Sequence, residues 1–135
     1  MSSVIPKEVK KAITDGWHNG VLYAAFFQAT SNCATDGTIT YASCTNECTG
    51  SGYTAGGKQI TTSSAYSSTD AVLDATDKSW TGVTLIQPVK FVVVYVKSGT
   101  NAGNIRFVFD LGTTGSITGG TLVVEWNALG LCKVS

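Results

Sequence analysis

Short segments that are apolar, or that alternate between apolar and polar residues, follow one another along most of this 135-residue chain. Phe91–Val96 is an unbroken apolar run, which is typical of a central strand covered on both faces. Ile105–Leu111 alternates, so its odd-numbered apolar side chains should face one way and Arg106 and Asp110 the other. Because glycine-rich turns separate such segments, the pattern predicts strands.

Further strands are predicted with the same signals. They are Val21–Ala29, Lys58–Ser67, Ala71–Ala75, Trp80–Ile86, Thr121–Trp126 and Leu129–Val134, of which Lys58–Ser67 and Ala71–Ala75 should pair. Pro6–Asp15 is the segment predicted as a helix, since proline suits a first helical turn. The prediction is an all-β fold, an antiparallel β-sandwich or distorted barrel of about seven to nine strands with one short N-terminal helix. Residues 1–135 should form a single domain, with 1–16 as an N-terminal arm and helix.

Thr30–Gly57 is a long polar stretch that interrupts the strand pattern. We expect a loop there, with a short strand near Ile39 or a helical turn near Cys44. Its end, Thr49–Gly57, holds four glycines in nine residues and predicts a tight corner. The same glycines lack the spacing of a phosphate-binding loop.

The charge balance and the lack of a long apolar segment argue against two classes of partner. Nine basic and nine acidic residues cancel, and only 13% of residues are charged, against about 25% in an average soluble domain. A nucleic-acid binder would show a basic face. A membrane helix would need about 18 consecutive apolar residues, which the sequence does not contain. We therefore expect neither nucleic acid nor membrane as a partner.

Four cysteines leave three alternatives open: disulfides, a zinc site or free thiols. They are Cys33, Cys44, Cys48 and Cys132. The opening residues 1–11 lack the apolar core of a secretory signal, so we expect folding in a cytoplasm with reduced thiols. Free thiols are the favoured interpretation, with Cys132 a small buried apolar residue.

Candidate catalytic and metal-binding residues are few. His18 is the only histidine, and a turn or surface role is favoured over a Ser-His-Asp arrangement. Asp70, Asp74 and Asp77 are favoured as solvated turn carboxylates over a calcium site. We therefore assign no catalytic, cofactor-binding or metal-binding residue, and expect no cofactor.

The three tryptophans, Trp17, Trp80 and Trp126, could form a sugar-binding platform. All three lie within or beside apolar strand patterns. A tryptophan buries a large apolar area, so core packing is the favoured interpretation.

The order of several motifs resembles a family of small virion-associated proteins of tailed bacteriophages. The motifs are Ala12–Gly16, Val21–Phe27, Asn46–Gly57, Asp74–Trp80, Val93–Tyr95, Phe109–Gly112 and Trp126–Gly130. The Gly-Tyr-Thr-Ala-Gly-Gly element within Asn46–Gly57 is the most specific of them. Cys48 and Cys132 depart from the family pattern, which has apolar residues there.

The resemblance implies a non-enzymatic structural protein of the virion, made in the host cytoplasm. The expected role is capsid decoration (a cement protein), with the major capsid protein or other virion proteins as partner and homo-oligomerisation left open. Met1–Lys11 and Thr30–Gly57 are the predicted contact segments, since both are irregular or polar segments that a compact core should not need. The alternatives are a neck or tail accessory protein, a glycan- or receptor-binding β-sandwich module, and a hydrolase with a cleft around His18.

Overall fold

A computed structural model describes residues 15, 21–35, 37, 40–67, 70–99, 101–124 and 132–134. Within them lie ten strands: β1 (Val21–Phe27), β2 (Gly50–Ser51), β3 (Lys58–Ile60), β4 (Thr62–Ser67), β5 (Asp70–Ala75), β6 (Lys78–Leu85), β7 (Val89–Ser98), β8 (Ile105–Gly115), β9 (Gly120–Val124) and β10 (Cys132–Val134). Every strand pairing is antiparallel. The predicted all-β, antiparallel fold class is therefore confirmed. The predicted helix, Pro6–Asp15, lies outside the described residues except for Asp15.

The chain divides into two compact units. The first contains β4, β5 and β10, which form a sheet in the order β10-β5-β4. Leu73 at its centre is fully buried. The second unit, Gly20–Ile60 with Lys78–Val124, holds one sheet in the order β3-β1-β7-β8 and another in the order β2-β6-β9. A single domain over residues 1–135 stays a prediction.

Strand β7 is the centre of the four-stranded sheet. Val93 and Val94 are completely buried although their side chains point to opposite faces. β1 and β8 flank β7, with Ala24 opposite Val94 on one side and Phe107 opposite it on the other. The apolar run in the sequence predicted this central position. Both faces of the sheet therefore have to be covered.

Strand β6 departs from simple alternation. Trp80 and Val83 are both buried although three positions separate them, because the register shifts between them at a bulge. Gly82 supplies the positive φ of 62° within this bulge. The Trp80 ring packs 4.6 Å from the Phe26 ring of β1, so β6 and its sheet cover one face of the four-stranded sheet.

The opposite face of the four-stranded sheet is covered by side chains from described residues of the segment 28–57, which we call the covering loop; its β2 belongs to the sheet of β6. Its Cys33 is buried in a cluster with Phe27 of β1 and Tyr95 of β7. Tyr41 packs against the same cluster from a turn of 3-10 helix, Tyr41–Ser43. This turn confirms the expected helical turn near Cys44. The loop was predicted as a segment that the core does not need, and that reasoning was wrong because the loop supplies part of the core.

Two other predictions need correction. Lys58–Ser67 was predicted as one strand, but it is broken at Thr61 into β3, which pairs with β1, and β4, which pairs with β5. In β8 the predicted alternation is broken by a register shift between the pairs Val94–Phe107 and Tyr95–Ile105, so Ile105 lies on the face of Tyr95 and not on that of Phe107. Leu111 is 50% exposed, in the stretch between the pairs Phe91–Asp110 and Val89–Gly115 where the register shifts again. Among the described residues, no helix is long and apolar enough to cross a membrane.

Candidate functional site

The densest polar cluster described in the molecule surrounds the carboxylate of Glu47 in the covering loop. The Tyr53 hydroxyl donates a hydrogen bond to Oε2 at 2.6 Å, and the backbone N–H of Gly56 donates to the same oxygen at 2.8 Å. The Tyr41 hydroxyl donates to Oε1. Donors from three parts of one loop therefore meet at a single half-buried carboxylate.

A second layer of contacts ties this cluster to the sheet beneath it. The Tyr53 hydroxyl accepts a hydrogen bond from the Phe26 N–H of β1 at 3.0 Å. The Tyr95 hydroxyl of β7 donates to the Gly56 carbonyl at 2.7 Å, and the Tyr95 ring stacks on the Tyr41 ring at 4.5 Å. Glu47 thus links the covering loop to both central strands. We call Glu47, Tyr41, Tyr53, Gly56 and Tyr95 the carboxylate hub.

The electrostatics of the hub favour a structural role over acid–base catalysis. Burial raises the pKa of Tyr53 and Tyr41 well above the ordinary tyrosine value, and the nearby Glu47 carboxylate raises it further. Burial, together with Glu47, raises the pKa of Tyr95 to about 12. All three phenols therefore stay protonated near neutral pH and act as donors. The Glu47 carboxylate accepts two of its three hydrogen bonds from phenols and the third from the Gly56 N–H, so it has little capacity left for a substrate.

Asn46 fixes the approach of the chain to the hub. It has a positive φ of 60°, which asparagine tolerates better than most residues. The side-chain amide of Asn46 donates to the Thr30 hydroxyl at 3.0 Å, and the backbone carbonyl of Asn46 accepts from the Gln28 N–H at 3.0 Å. These bonds join the two ends of the loop segment that carries Cys33 and Cys44.

Three glycines of the covering loop lie where no side chain fits. A Cβ at Gly57 would lie 1.8 Å from the Ala24 carbonyl oxygen of β1. At Gly50 it would lie 2.0 Å from the Thr84 carbonyl oxygen. At Gly52 the nearest atom, a backbone oxygen of β6, would be 2.6 Å away. Such close backbone approach requires glycine. The predicted tight corner at the end of the loop is confirmed.

The outer side of the covering loop carries no charge among its described residues. Those classed as exposed are Ala29, Thr30, Ala34, Thr35, Gly37, Ala42, Ser43, Thr45, Asn46, Thr49, Ser51, Gly52, Thr54 and Ala55. The only described acidic residue of the loop is Glu47, which is held in the hub. We call this surface the uncharged face.

Three thiols of the covering loop are free. Cys33 and Cys48 are buried, whereas Cys44 is half-buried. Burial is the main cause that raises the pKa of Cys44 and of Cys48 to about 11, so these thiols are poor nucleophiles at neutral pH. The Cys48 thiol donates to the Pro88 carbonyl at 3.7 Å. Cys132 lies in β10.

The structure brings few of the other predicted site residues together. Trp80 is 1% exposed, so its predicted packing role is confirmed, whereas Trp17, Trp126 and His18 lie outside the described residues. Asp74 and Asp77 are exposed, and no three histidine, cysteine, aspartate or glutamate side chains in the described part of the chain are grouped as a metal site would require.

A shallow open groove of about 200 Å³ lies beside the loop end. It is lined by Gln28, Ala29, Thr30, Pro88 and Thr114. Its lining offers no charged group, and it is smaller than the roughly 300–1,000 Å³ of a typical ligand pocket.

Comparison with family models, with curated proteins and with solved structures finds no match to this chain. Sequence reasoning singled out the Asn46–Gly57 segment but missed the hub at its centre. The usable signal was a lone acidic residue in an otherwise uncharged, glycine-rich segment, with tyrosines six positions before and after it.

Proposed function

We propose that this chain is a non-enzymatic structural protein of a phage particle that docks on assembled subunits as a capsid decoration protein. The observation that carries the proposal is the uncharged face, held rigid by the carboxylate hub. The ordered motifs that resemble small virion proteins support it, and the most specific of them, Asn46–Gly57, is the segment that builds the hub.

Rigidity and lack of charge both favour docking on protein. A surface that is already ordered loses little conformational entropy on binding. Charged residues are depleted at the cores of protein–protein interfaces, because removing a charge from water is costly. The described residues of the uncharged face avoid that cost.

The same face should bind weakly as a single copy. Its exposed residues are small, and it lacks the large aromatic anchors that dominate tight interfaces. A particle presents many identical sites, and a protein that binds only the assembled form stabilises that form by mass action. Repetition over the lattice then adds up weak contacts, as in other multivalent systems. Capsid decoration therefore fits this surface better than a soluble one-to-one complex.

The experiment introduces charge into the uncharged face. Ala42→Glu and Ala55→Glu each place a carboxylate at an exposed position whose side chain makes no described hydrogen bond. The probe is a preparation of phage particles assembled from a genome in which the coding sequence for this chain has been deleted. Purified protein is added back, and its occupancy is measured after sedimentation. Both variants should fold normally, since surface changes alter stability by about 0.5 kcal/mol or less.

The matched control is Thr121→Glu, which adds the same charge at an exposed position of β9, outside the covering loop. We expect the control to bind like the wild type, and the two loop variants to lose occupancy on the order of tenfold or more, because an unpaired charge is buried on docking. Equal occupancy of all four proteins would contradict the proposal. Deletion of residues 1–11 should also weaken binding without unfolding the protein.

A neck or tail accessory role uses the same docking chemistry at another place on the particle. Electron microscopy of the reloaded particles separates this role from capsid decoration.

The glycan-binding alternative gains no support from Trp80, which is buried. Titration of tryptophan fluorescence with host surface polysaccharide tests it. His18→Ala with unchanged phenotypes would exclude the hydrolase.

A further inference from the structure

Two thiols of the covering loop, Cys33 and Cys44, lie in one cluster. Cys33 is 2% exposed within the buried group that also contains Phe27 and Tyr95. Cys44 packs against the outside of that group. The two sulfur atoms therefore belong to the same small region between the loop and the sheet.

Hydrogen bonds between the flanking residues place the two cysteines side by side. The Asn32 side chain accepts from the Thr45 N–H at 2.8 Å, and its amide group donates to the Ser43 carbonyl at 3.0 Å. The Asn32 N–H in turn donates to the Thr45 hydroxyl at 3.3 Å. Since Asn32 precedes Cys33, and Ser43 and Thr45 flank Cys44, these bonds hold the two cysteines in adjacent segments of the loop.

We propose that Cys33 and Cys44 are a disulfide-forming pair that closes the covering loop over the sheet when the protein meets an oxidising environment. This inference rests on the geometry of the two segments and does not depend on the proposed function. Electrostatic coupling between the thiols agrees with their proximity, since Cys33 contributes to the raised pKa of Cys44. Cys48 is not part of the pair, because it lies outside the cluster that contains Cys33 and Cys44, with its thiol on the Pro88 carbonyl. The Cys44 thiol donates to the Thr40 carbonyl at 3.6 Å, a weak bond that breaks when the link forms.

The oxidant is a small disulfide such as oxidised glutathione, and the reaction proceeds by two exchanges. At mildly alkaline pH, where more of its thiol is ionised, the half-buried Cys44 loses its proton and attacks one glutathione sulfur. The glutathione S–S bond breaks, a mixed disulfide forms and one glutathione leaves. Cys33 then loses its proton and attacks the Cys44 sulfur, which releases the second glutathione. The protein thiols give up two electrons and two protons, and one glutathione disulfide becomes two thiols.

The test equilibrates the full chain with oxidised glutathione, then alkylates the remaining thiols and maps the peptides by mass spectrometry. Cleavage after Tyr41 separates Cys33 from Cys44, and cleavage after Glu47 separates Cys44 from Cys48. We expect a linked peptide pair that contains Cys33 and Cys44 and has lost two hydrogen atoms, while Cys48 remains alkylated. Thermal unfolding should shift upward by roughly 10 °C, as closing a loop of this size constrains the unfolded chain.

Variants keep the test independent of any folding defect. Cys48→Ser should still form the link, whereas Cys44→Ser should abolish both the link and the thermal shift. Because Cys44 is half-buried, its replacement should be tolerated, and circular dichroism of the reduced variant checks this. Three results would overturn the inference: both thiols still alkylated at equilibrium, glutathione retained on Cys44, or a link that joins Cys44 to Cys48 or Cys132.

Discussion

Replacing Glu47 with alanine should loosen the covering loop more than any other removal of a described acidic side chain. The substitution removes the acceptor for the Tyr41 and Tyr53 hydroxyls and for the Gly56 N–H. Hydrogen bonds to a charged partner contribute about 1.5–3 kcal/mol each. The three are coupled and half-buried, so we expect a total loss of about 3–5 kcal/mol rather than the full sum.

Urea denaturation followed by tyrosine and tryptophan fluorescence measures this loss. With a slope of about 1–3 kcal/mol per molar urea, the midpoint should fall by roughly 2 M. The urea midpoint of Glu47→Gln should lie between those of the wild type and Glu47→Ala. The glutamine keeps one acceptor oxygen, but its amide group turns a donor toward the remaining hydroxyl or N–H groups. The alkylation rate of Cys33, a buried residue of the loop itself, should rise in the same order.

The matched control is Asp110→Ala. Asp110 pairs with Lys90 at 2.9 Å but is 56% exposed, and surface ion pairs contribute about 0–1 kcal/mol. A Glu47→Ala variant that loses less than about 1 kcal/mol, or that behaves like Asp110→Ala with Cys33 still protected, would refute the view that the hub holds the loop.

Three further predictions follow from the same contacts. Gly57→Ala should lower the free energy of unfolding, measured by urea denaturation, by more than about 3 kcal/mol or prevent folding, because the new Cβ would lie 1.8 Å from a carbonyl oxygen. Gly112→Ala, with a similar φ of +81° and open space around it, should lower it by only about 1 kcal/mol. Burial raises the pKa of Tyr95 to about 12 from an ordinary value of 10. The protonated hydroxyl of Tyr95 therefore contributes fully to stability below pH 10, and this contribution is lost as the pH rises through 12. Chemical denaturation at a series of alkaline pH values should show this decline, and a flat profile would contradict it. The thiol of Cys44, with a pKa of about 11, should be alkylated about tenfold faster for each pH unit between neutrality and pH 10. A rate that levels off near pH 9 would instead show an ordinary, unburied thiol.

The strands were predictable where local pattern and burial agree. The apolar run that became β7 and the alternation of Thr121–Val124 each specify which faces are covered, and β9 shows that alternation, with Leu122 half-buried and Val123 47% exposed. The break at Thr61 was not predictable, because both halves have strand composition and only their different partners separate them.

The carboxylate hub was beyond sequence reasoning for a different reason. Its bonds depend on distances between residues far apart in the chain, such as Tyr95 and Gly56, which are 39 positions apart. The polar, glycine-rich composition of the covering loop is also typical of a surface loop. No single tyrosine or cysteine within it indicates on its own that it is buried. Composition showed that charges are few, and the fold adds that the one described acidic residue of the covering loop, Glu47, is held in the hub.

The most direct test of the docking account is an electron cryomicroscopy reconstruction of phage particles assembled from a genome that carries this coding sequence. The account predicts density for the chain at repeated positions on the particle, with the exposed residues of the covering loop in contact with a neighbouring subunit. Particles that lack the chain, or that carry it with the covering loop turned entirely to solvent, would contradict it.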